Sequence, residues 1–477
     1  MPLILPANTL ADSGYEVANS GVFNGSNQRL VRDADEDGSS IVATFSCWVK
    51  FMKNGSDEHA LFCGWDDSGS KDDDGYMVFK RNSDHTLTFA GGDDTYLTTN
   101  RKLRDLSAWY HIVLAIDSSE NSDTAQRIYI NGEEETSFSA RSNLTNLQDL
   151  PMNKTAGNAD SIYIGCDYDT GGAGQHFAGY IAEVYWIDGQ QLTASSFGER
   201  DEDSGIWKPK KYDGSYANNS FFLEFSNEGT GVGTGKFASD TSGRGNHLDT
   251  NNFSAQYQRT DTPTNNFATM NPNYHSTVAN YYVNYTHGNL RSPTTSSGNS
   301  ALTWNCTTIG ATSGKWYAEG YNEYSTSTSG TAGFGIVNLD NLVDNKFNEV
   351  TNCGIYYAVN GALYLNNSSS GSYGTYTTND VIGVFLNLDD NELRFSKNGT
   401  MLNSSNSFVT IPDGVWGFSY IDNSGHGYDF SWNFGQPKYG LSSAVSDPNG
   451  YGSFEYSPND GSDDYYALCT KNLAEYG

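Results

Sequence analysis

Apolar and polar residues alternate with a period of two along much of the chain. The alternation is clearest in two stretches built alike, WYHIVLAIDSSENSDTAQRIYINGEE from Trp109 to Glu134 and DVIGVFLNLDDNELRFSKNGT from Asp380 to Thr400. In each, an apolar strand runs into an acidic turn, a second apolar strand returns, and Asn-Gly closes it. Ile112, Leu114 and Ile116 share one face of the first, and Val384, Leu386 and Leu388 one face of the second, as a strand with one buried side requires. The Asn-Gly pairs accept the positive φ of a tight hairpin turn. Both stretches therefore predict antiparallel hairpins, and their separation predicts two β-sandwich modules.

From Gly21 to about Phe197 further apolar runs recur between Gly, Asn and Asp: GVFNGSNQRLVR, ATFSCWVKF, HALFCGW, GYMVFKRN, TLTFAGG, SIYIGCDY and GYIAEVYWIDGQQL. Short strands at near-regular spacing predict a sandwich or jelly roll. A short helix is expected only at Leu192 to Arg200. Between about Gly198 and Asn273 the period is lost: a basic clump, KPKK, is followed by text rich in Asn, Thr, Gly and Asp, with FFLEF (Phe221 to Phe225) as a single strand. Such a length without its own fold reads as an ordered strap lying on its neighbours, with Trp207, Phe222 and Phe225 buried. From about Leu302 the strands resume. The expectation is an all-β protein of two jelly-roll sandwiches joined by an ordered, mostly irregular connector: an N-terminal arm at 1–20, a first sandwich at 21–200, the connector at 201–268 and a second sandwich at 269–477.

Composition agrees with two packed domains. A chain of 477 residues exceeds the ~100–200 of an ordinary domain. Its 36% hydrophobic and 14% aromatic content supplies cores, and 51 Gly supply turns. The net charge of −30 excludes nucleic acid and an anionic bilayer as partners, since both need a basic surface. No apolar run reaches the ~18 residues of a membrane span. MPLILPANTLADSG lacks a basic start and is broken by Pro2 and Pro6, so it is not read as a signal peptide and folding in a cytoplasm is expected. The six cysteines, Cys47, Cys63, Cys166, Cys306, Cys353 and Cys469, form no C-x-x-C pair and mostly lie in apolar runs, as buried thiols do.

The segments FNGSNQRLV, TFSCWVK, WYHIVLAID…IYINGE and GYIAEVYWIDGQQLTASSF resemble, in this order, a laminin G-like domain of the concanavalin A-type lectin and glucanase superfamily, over about Gly21 to Phe197. Within the connector, DTSGRGNHL resembles the opening motif of some laminin G-like domains. GKWYAEGYNE, GFGIV, DVIGVFLNLDDNELRFSKNG and NFGQPKYG resemble a SPRY domain over about Thr269 to Tyr439, extended by SFEYSPND…YYALCTKNL. The order of the two modules, with TDTPTNNFATMNP between them and ALCTKNL at the end, is similar to virion proteins of marine tailed bacteriophages, including cyanophages. That resemblance implies folding in the host cytoplasm and a place on the virion surface.

The superfamily includes glucanases, whose retaining members need two carboxyl groups ~5–5.5 Å apart. The nearest pattern is GERDEDSG, where Glu199, Asp201 and Asp203 alternate amid polar residues, and it reads as a solvated charge run. Calcium sites in such sandwiches use Asp oxygens in rim loops. The candidates are Asp66, Asp67, Asp72, Asp73 and Asp74, and Asp167 with Asp169. His111, His247, His275 and His426 stand without metal-ligand spacing, no G-x-S-x-G elbow is present, and GTGVGTG (Gly229 to Gly235) lacks the trailing Lys of a phosphate loop. Sugars stack on exposed aromatic rings, and Tyr373 and Tyr376 lie in a loop-like stretch, whereas Trp48, Trp186, Trp316 and Trp432 fall in strands and read as core. The sequon at Asn366 has meaning only in a secretory pathway.

The reading is of a non-enzymatic structural protein of a phage particle: a surface-exposed fibre, spike, knob or head decoration that binds host-surface glycan or protein through sandwich loops. No catalytic, cofactor-binding or metal residue is assigned and no cofactor is expected, with calcium the ion to test. The expected partners are other virion proteins and copies of itself in a homo-oligomer, without nucleic acid or membrane insertion. A secreted glycan-binding lectin or glycan-active hydrolase using the laminin G-like groove is the alternative.

Overall fold

The computed structural model describes residues 14–66, 75–92, 94–120, 122–142, 151, 160–169, 171–254, 256–275, 285–293, 303–341, 354–365, 368–402, 409–422, 427–438 and 440–477. Strands dominate them, and they fall into two compact units, Ser13–Thr264 and a second that begins at Asn265 and runs to Gly477.

In the first unit the strand-rich text folds into two antiparallel sheets, each eight-stranded among the described residues. One runs Glu133–Glu134, Gln126–Ile130, Tyr110–Asp117, Val42–Phe51, Ala178–Asp188, Ser20–Asn24 and Gln258–Arg259, with Phe221–Leu223 also beside Ala178–Asp188. The other runs Phe138–Arg141, Asp94–Thr99, Leu87–Gly91, Tyr76–Arg81, His59–Asp66, Asp160–Ile164, Arg29–Asp33 and Asp249–Asn251. Their inner faces meet in one core, where Phe45 and Phe62 lie with ring centroids 4.6 Å apart. Ile112, Leu114 and Ile116 all point into it, and Asn131 and Gly132 turn the hairpin at φ 49 and 82°.

Strand Ala178–Asp188 is the longest of its sheet and changes neighbour halfway, from Ser20–Asn24 to Phe221–Leu223. The register against Val42–Phe51 shifts between Ala182 and Tyr185, and Glu183 sits in this bulge at φ 51°, a conformation that a strand reserves for such an extra residue. Its carboxylate is buried and accepts from Tyr15 Oη at 3.0 Å and Tyr185 Oη at 3.1 Å. Burial pushes its pKa up to about 7, against those two donors.

The stretch read as a connector is the edge of this first unit as far as Thr264. Phe222 and Phe225 are buried and Trp207 is half-buried. Strands Asp249–Asn251 and Gln258–Arg259 each extend a sheet beside an early strand. In DTSGRGNHL, Asp240 accepts from the amides of Phe222, Ser242 and Asn246, while Asn246 bridges Arg32 Nη2 at 2.6 Å to the Ser220 carbonyl. Asp261 is fully buried, paired with Lys50 Nζ at 2.8 Å and accepting from Trp109 Nε1 at 3.0 Å. The expected helix at Leu192 to Arg200 is a 3₁₀ turn, Ala194–Ser196, followed by strand Gly198–Arg200.

The second unit repeats the plan. One sheet runs Met270–His275, Thr303–Thr307, Trp416–Asp422, Gly333–Asn338, Gly354–Ala358, Ala362–Leu365 and Ser368–Ser372. The other runs Arg291–Pro293, Tyr428–Asn433, Lys315–Ser325, Val381–Asn387, Glu392–Lys397 and Thr400–Met401, with Val409–Thr410 and Tyr466–Ala467 as side pairings. Val384, Leu386 and Leu388 enter the core with Trp316, Phe334 and Trp432, and Phe334 packs on Phe430 at 4.5 Å. The chain ends in a helix, Thr470–Tyr476, anchored by buried Leu473, which the strand pattern did not predict. Cys47, Cys63, Cys166, Cys306 and Cys469 are buried free thiols, and Cys353 lies outside the described residues.

Candidate functional site

The residues singled out for glycoside chemistry are held in a hairpin. Strand Gly198–Arg200 pairs with Trp207–Pro209, and Asp201 opens the turn, accepting from Ser204 N and Oγ at 2.9 and 2.7 Å and pairing with Lys208 at 3.3 Å. These bonds pull its pKa down to about 2, the Ser204 amide foremost. Glu199 faces Lys208 at 3.8 Å, and Asp203 is exposed. Of the calcium candidates, Asp167 is buried and accepts from Tyr76 Oη at 2.8 Å, and Asp169 caps its own turn through Gly171 N at 2.7 Å. Asp66 ends strand His59–Asp66, and Asp67, Asp72, Asp73 and Asp74 lie outside the described residues. Among the described residues no three His, Cys, Asp or Glu side chains converge as a metal site.

The aromatic reading needs a correction. Tyr376 is core: it is 1% exposed and donates to the Tyr357 carbonyl at 3.0 Å, with Tyr373 packed against the same ring. The stretch SSSGSYGTYTTND runs along Val359–Gly361, with Tyr373 N donating to the Gly361 carbonyl at 2.7 Å and Tyr376 N to the Val359 carbonyl at 3.2 Å, and both rings pack on Tyr357. Trp48, Trp186, Trp316 and Trp432 are all buried, as their strands required. His111 is buried, His247 accepts from Asp240 N at 3.0 Å, and His426 and Asn366 lie outside the described residues, as does the side chain of His275.

What the sequence did not single out is a cavity of about 510 Å³ in the second unit. Its floor is the outer face of two paired strands, Lys315–Ser325 and Tyr428–Asn433, whose alternation sends Trp316 and Trp432 into the core and Tyr321, Glu323, Ser431 and Asn433 outward. Its walls come from Asn379, Asp380, Val381 and the returning segment with Lys438, Leu441, Ser442, Glu455 and Tyr456. That segment is held by Glu319, which is fully buried and accepts from the amides of Glu455 and Tyr456 at 2.9 and 2.7 Å, from Tyr321 Oη at 2.8 Å and from Asn433 Nδ2 at 3.2 Å. Burial pushes this carboxyl's pKa up and the four donors oppose it.

The floor is electrostatically closed. Glu323 accepts from Arg291 Nε at 2.9 Å, Ser431 Oγ at 2.5 Å and Lys438 Nζ, while Arg291 Nη2 reaches Asp429 at 2.7 Å. Burial lowers the Lys438 pKa to about 8 against the pull of Glu323. The mouth differs. Among the described residues, Tyr456 Oη, Glu455 Oε1 and the Asn379 side-chain amide have no hydrogen-bond partner. Tyr456 packs its ring on the second Asn-Gly turn: a Cβ on Gly399, at φ 74°, would lie 2.6 Å from Tyr456 Cδ1. The turn was readable in the sequence; the ring arriving from 57 positions later was not.

Comparison with known families agrees with both modules. Residues 23–196 match the laminin G-type model of the concanavalin A-like lectin/glucanases superfamily, and residues 323–413 match the SPRY domain model. Among curated proteins no relative matches. Solved structures that are similar include the SAP-like pentraxin of Limulus polyphemus (14% identity, 38% of this chain and 80% of that one, TM-score 0.28). The SPRY domain of human HERC1 is similar at 16% identity, over 34% of this chain and 96% of that one, with a TM-score of 0.27. Domains LG4-5 of the mouse laminin alpha1 chain are similar at 10% identity, over 88% of each chain, with a TM-score of 0.30. The chain carries a laminin G-like domain of the concanavalin A type followed by a SPRY domain.

Proposed function

We propose that this is a non-enzymatic carbohydrate-binding protein, and more finely that it is a surface-exposed structural component of a phage particle, a fibre, spike, knob or head decoration that contacts a host-surface glycan or protein. The observation that carries the binding reading is the cavity of the second unit, lined by the Tyr456 ring, where the groups without a hydrogen-bond partner among the described residues are the Tyr456 hydroxyl, the Asn379 amide and a Glu455 carboxylate oxygen. Those are the groups that grip a sugar's apolar face and read its hydroxyls. Membership of the first unit in a lectin-containing superfamily supports the same reading. The particle role is supported by the similarity of the module order to marine phage virion proteins, and the charge of −30 keeps a crowded surface protein soluble.

Two experiments test it. A glycan array probed with the whole chain is expected to show saccharide binding without turnover; reducing ends released by wild type and lost in Glu199→Gln or Asp201→Asn would overturn the non-enzymatic part. Quantitative mass spectrometry of purified particles, with antibody labelling in the electron microscope, is expected to find the chain at fixed stoichiometry on the particle surface. Its absence there would overturn the particle role and leave a secreted lectin.

A further inference from the structure

The mouth of the cavity carries a charge bias. The carboxylates of Glu455 and Asp380 line it, and Glu323 lies behind them. Lys397, beside Asp380 of the rim, is taken up by that carboxylate at 3.2 Å and by the Thr375 carbonyl at 3.0 Å. Lys438 is 4% exposed and bound to Glu323. Among the described residues, an anionic ligand entering here meets carboxylates and no unpaired cation. A hydroxyl-bearing ring meets the Tyr456 ring, seated on Gly399, with Asn379 offering both a donor and acceptor and Glu455 Oε1 an acceptor. The volume of about 510 Å³ is that of a small-ligand cleft.

We propose that this cavity is a saccharide site that takes a neutral or amine-bearing sugar and turns away anionic ones, with Tyr456 as the stacking platform and Asn379 and Glu455 reading the ring substituents. The assignment rests on the carbohydrate reading above and adds to it the place and the charge class of the ligand. A basic peptide is the competing occupant. It is disfavoured because the floor already holds Arg291 and Lys438 against their carboxylates, and the unengaged groups include a hydroxyl and an amide rather than carboxylates alone.

The test is calorimetric titration of the full chain with cellobiose, a chitosan disaccharide, a glucuronate-containing disaccharide and an oligolysine peptide, using wild type, Tyr456→Ala and Glu455→Gln, with thermal unfolding as the check that each variant is folded. The expected result is binding of the first two probes, exclusion of the third, roughly tenfold weaker binding in Tyr456→Ala, and a smaller preference for the amine-bearing probe in Glu455→Gln. Saccharide binding unchanged in both variants would overturn the site while leaving the carbohydrate reading intact. Equal binding of the glucuronate probe would overturn the charge class. Binding of oligolysine alone, with no saccharide bound, would overturn site and reading together.

Discussion

His111 sits where a charge has no counterpart. Its ring stacks between Trp48, centroids 4.9 Å apart, and Trp207 at 5.9 Å. Trp207 Nε1–H donates to Nδ1 at 3.0 Å, which places the imidazole proton on Nε2, donated to Ser46 Oγ at 2.9 Å. Burial drives its pKa from 6.5 down to about 3. The unfolded chain therefore binds a proton below pH 6.5 that the folded chain refuses, and stability falls as pH drops from about 6.5 toward 3. Denaturant titrations at pH 7 and pH 4.5 are expected to show a larger loss for wild type than for His111→Gln. Asp261 poses the opposite problem, a buried charge that is paired. Asp261→Ala strands Lys50 and the Trp109 indole, and denaturant unfolding is expected to show a loss of about 3–5 kcal/mol. The sequence marked His111 only as a histidine without metal-ligand spacing, and nothing around Asp261 in TDTPTNN marks it as buried, because the partner that permits burial is 211 positions away.

The two Asn-Gly hairpins were the most legible elements, and each does more than turn. A Cβ on Gly132 would lie 2.4 Å from the Trp207 ring, as one on Gly399 would lie 2.6 Å from Tyr456, and both glycines have positive φ. Each hairpin is thus a seat for an aromatic ring delivered by a later segment, the short strand Trp207–Pro209 in the first case and the returning segment with Tyr456 in the second. Period-two patterning finds the hairpins and cannot find their riders, since a lone Trp or Tyr among Gly, Asp and Ser has no period. Gly132→Ala and Gly399→Ala are expected to destabilise by more than about 1 kcal/mol, read from denaturant midpoints, and Gly399→Ala should also weaken saccharide binding. The stretch 201–264 lacked a pattern for the same reason. It is held by short strands, buried Phe222 and Phe225 and the hydrogen-bonded Asp240 and Asn246, so limited proteolysis is expected to spare it.

For the whole molecule, two sandwiches were visible from the hairpins alone; the laminin G-type match at 23–196 covers nearly all of its expected span, and the SPRY match at 323–413 lies within the expected 269–439. The position of the break was not visible, because composition changes near residue 200 whereas the packed unit continues to Thr264. Expressed alone, residues 13–264 are expected to give one cooperative thermal transition, whereas a piece ending at 200 should aggregate. The shorter piece loses Phe221–Leu223, Asp249–Asn251 and Gln258–Arg259 and leaves edges of Ala178–Asp188, Arg29–Asp33 and Ser20–Asn24 unpaired.

The sealing of the first sandwich by its last residues also sets a clock. Lys50 and Val17 wait for Asp261 and Thr264, 211 and 247 positions downstream. A ribosome adding ~5–20 residues per second takes roughly 10 to 40 s to deliver the first of these partners. During that interval the nascent chain carries a cationic side chain destined for burial and two sheets with open edges, and the pairing that remains is long-range and slow. The fold of this unit is completed only after most of its strands have been made, and its open edges stay exposed to other chains until Thr264 emerges.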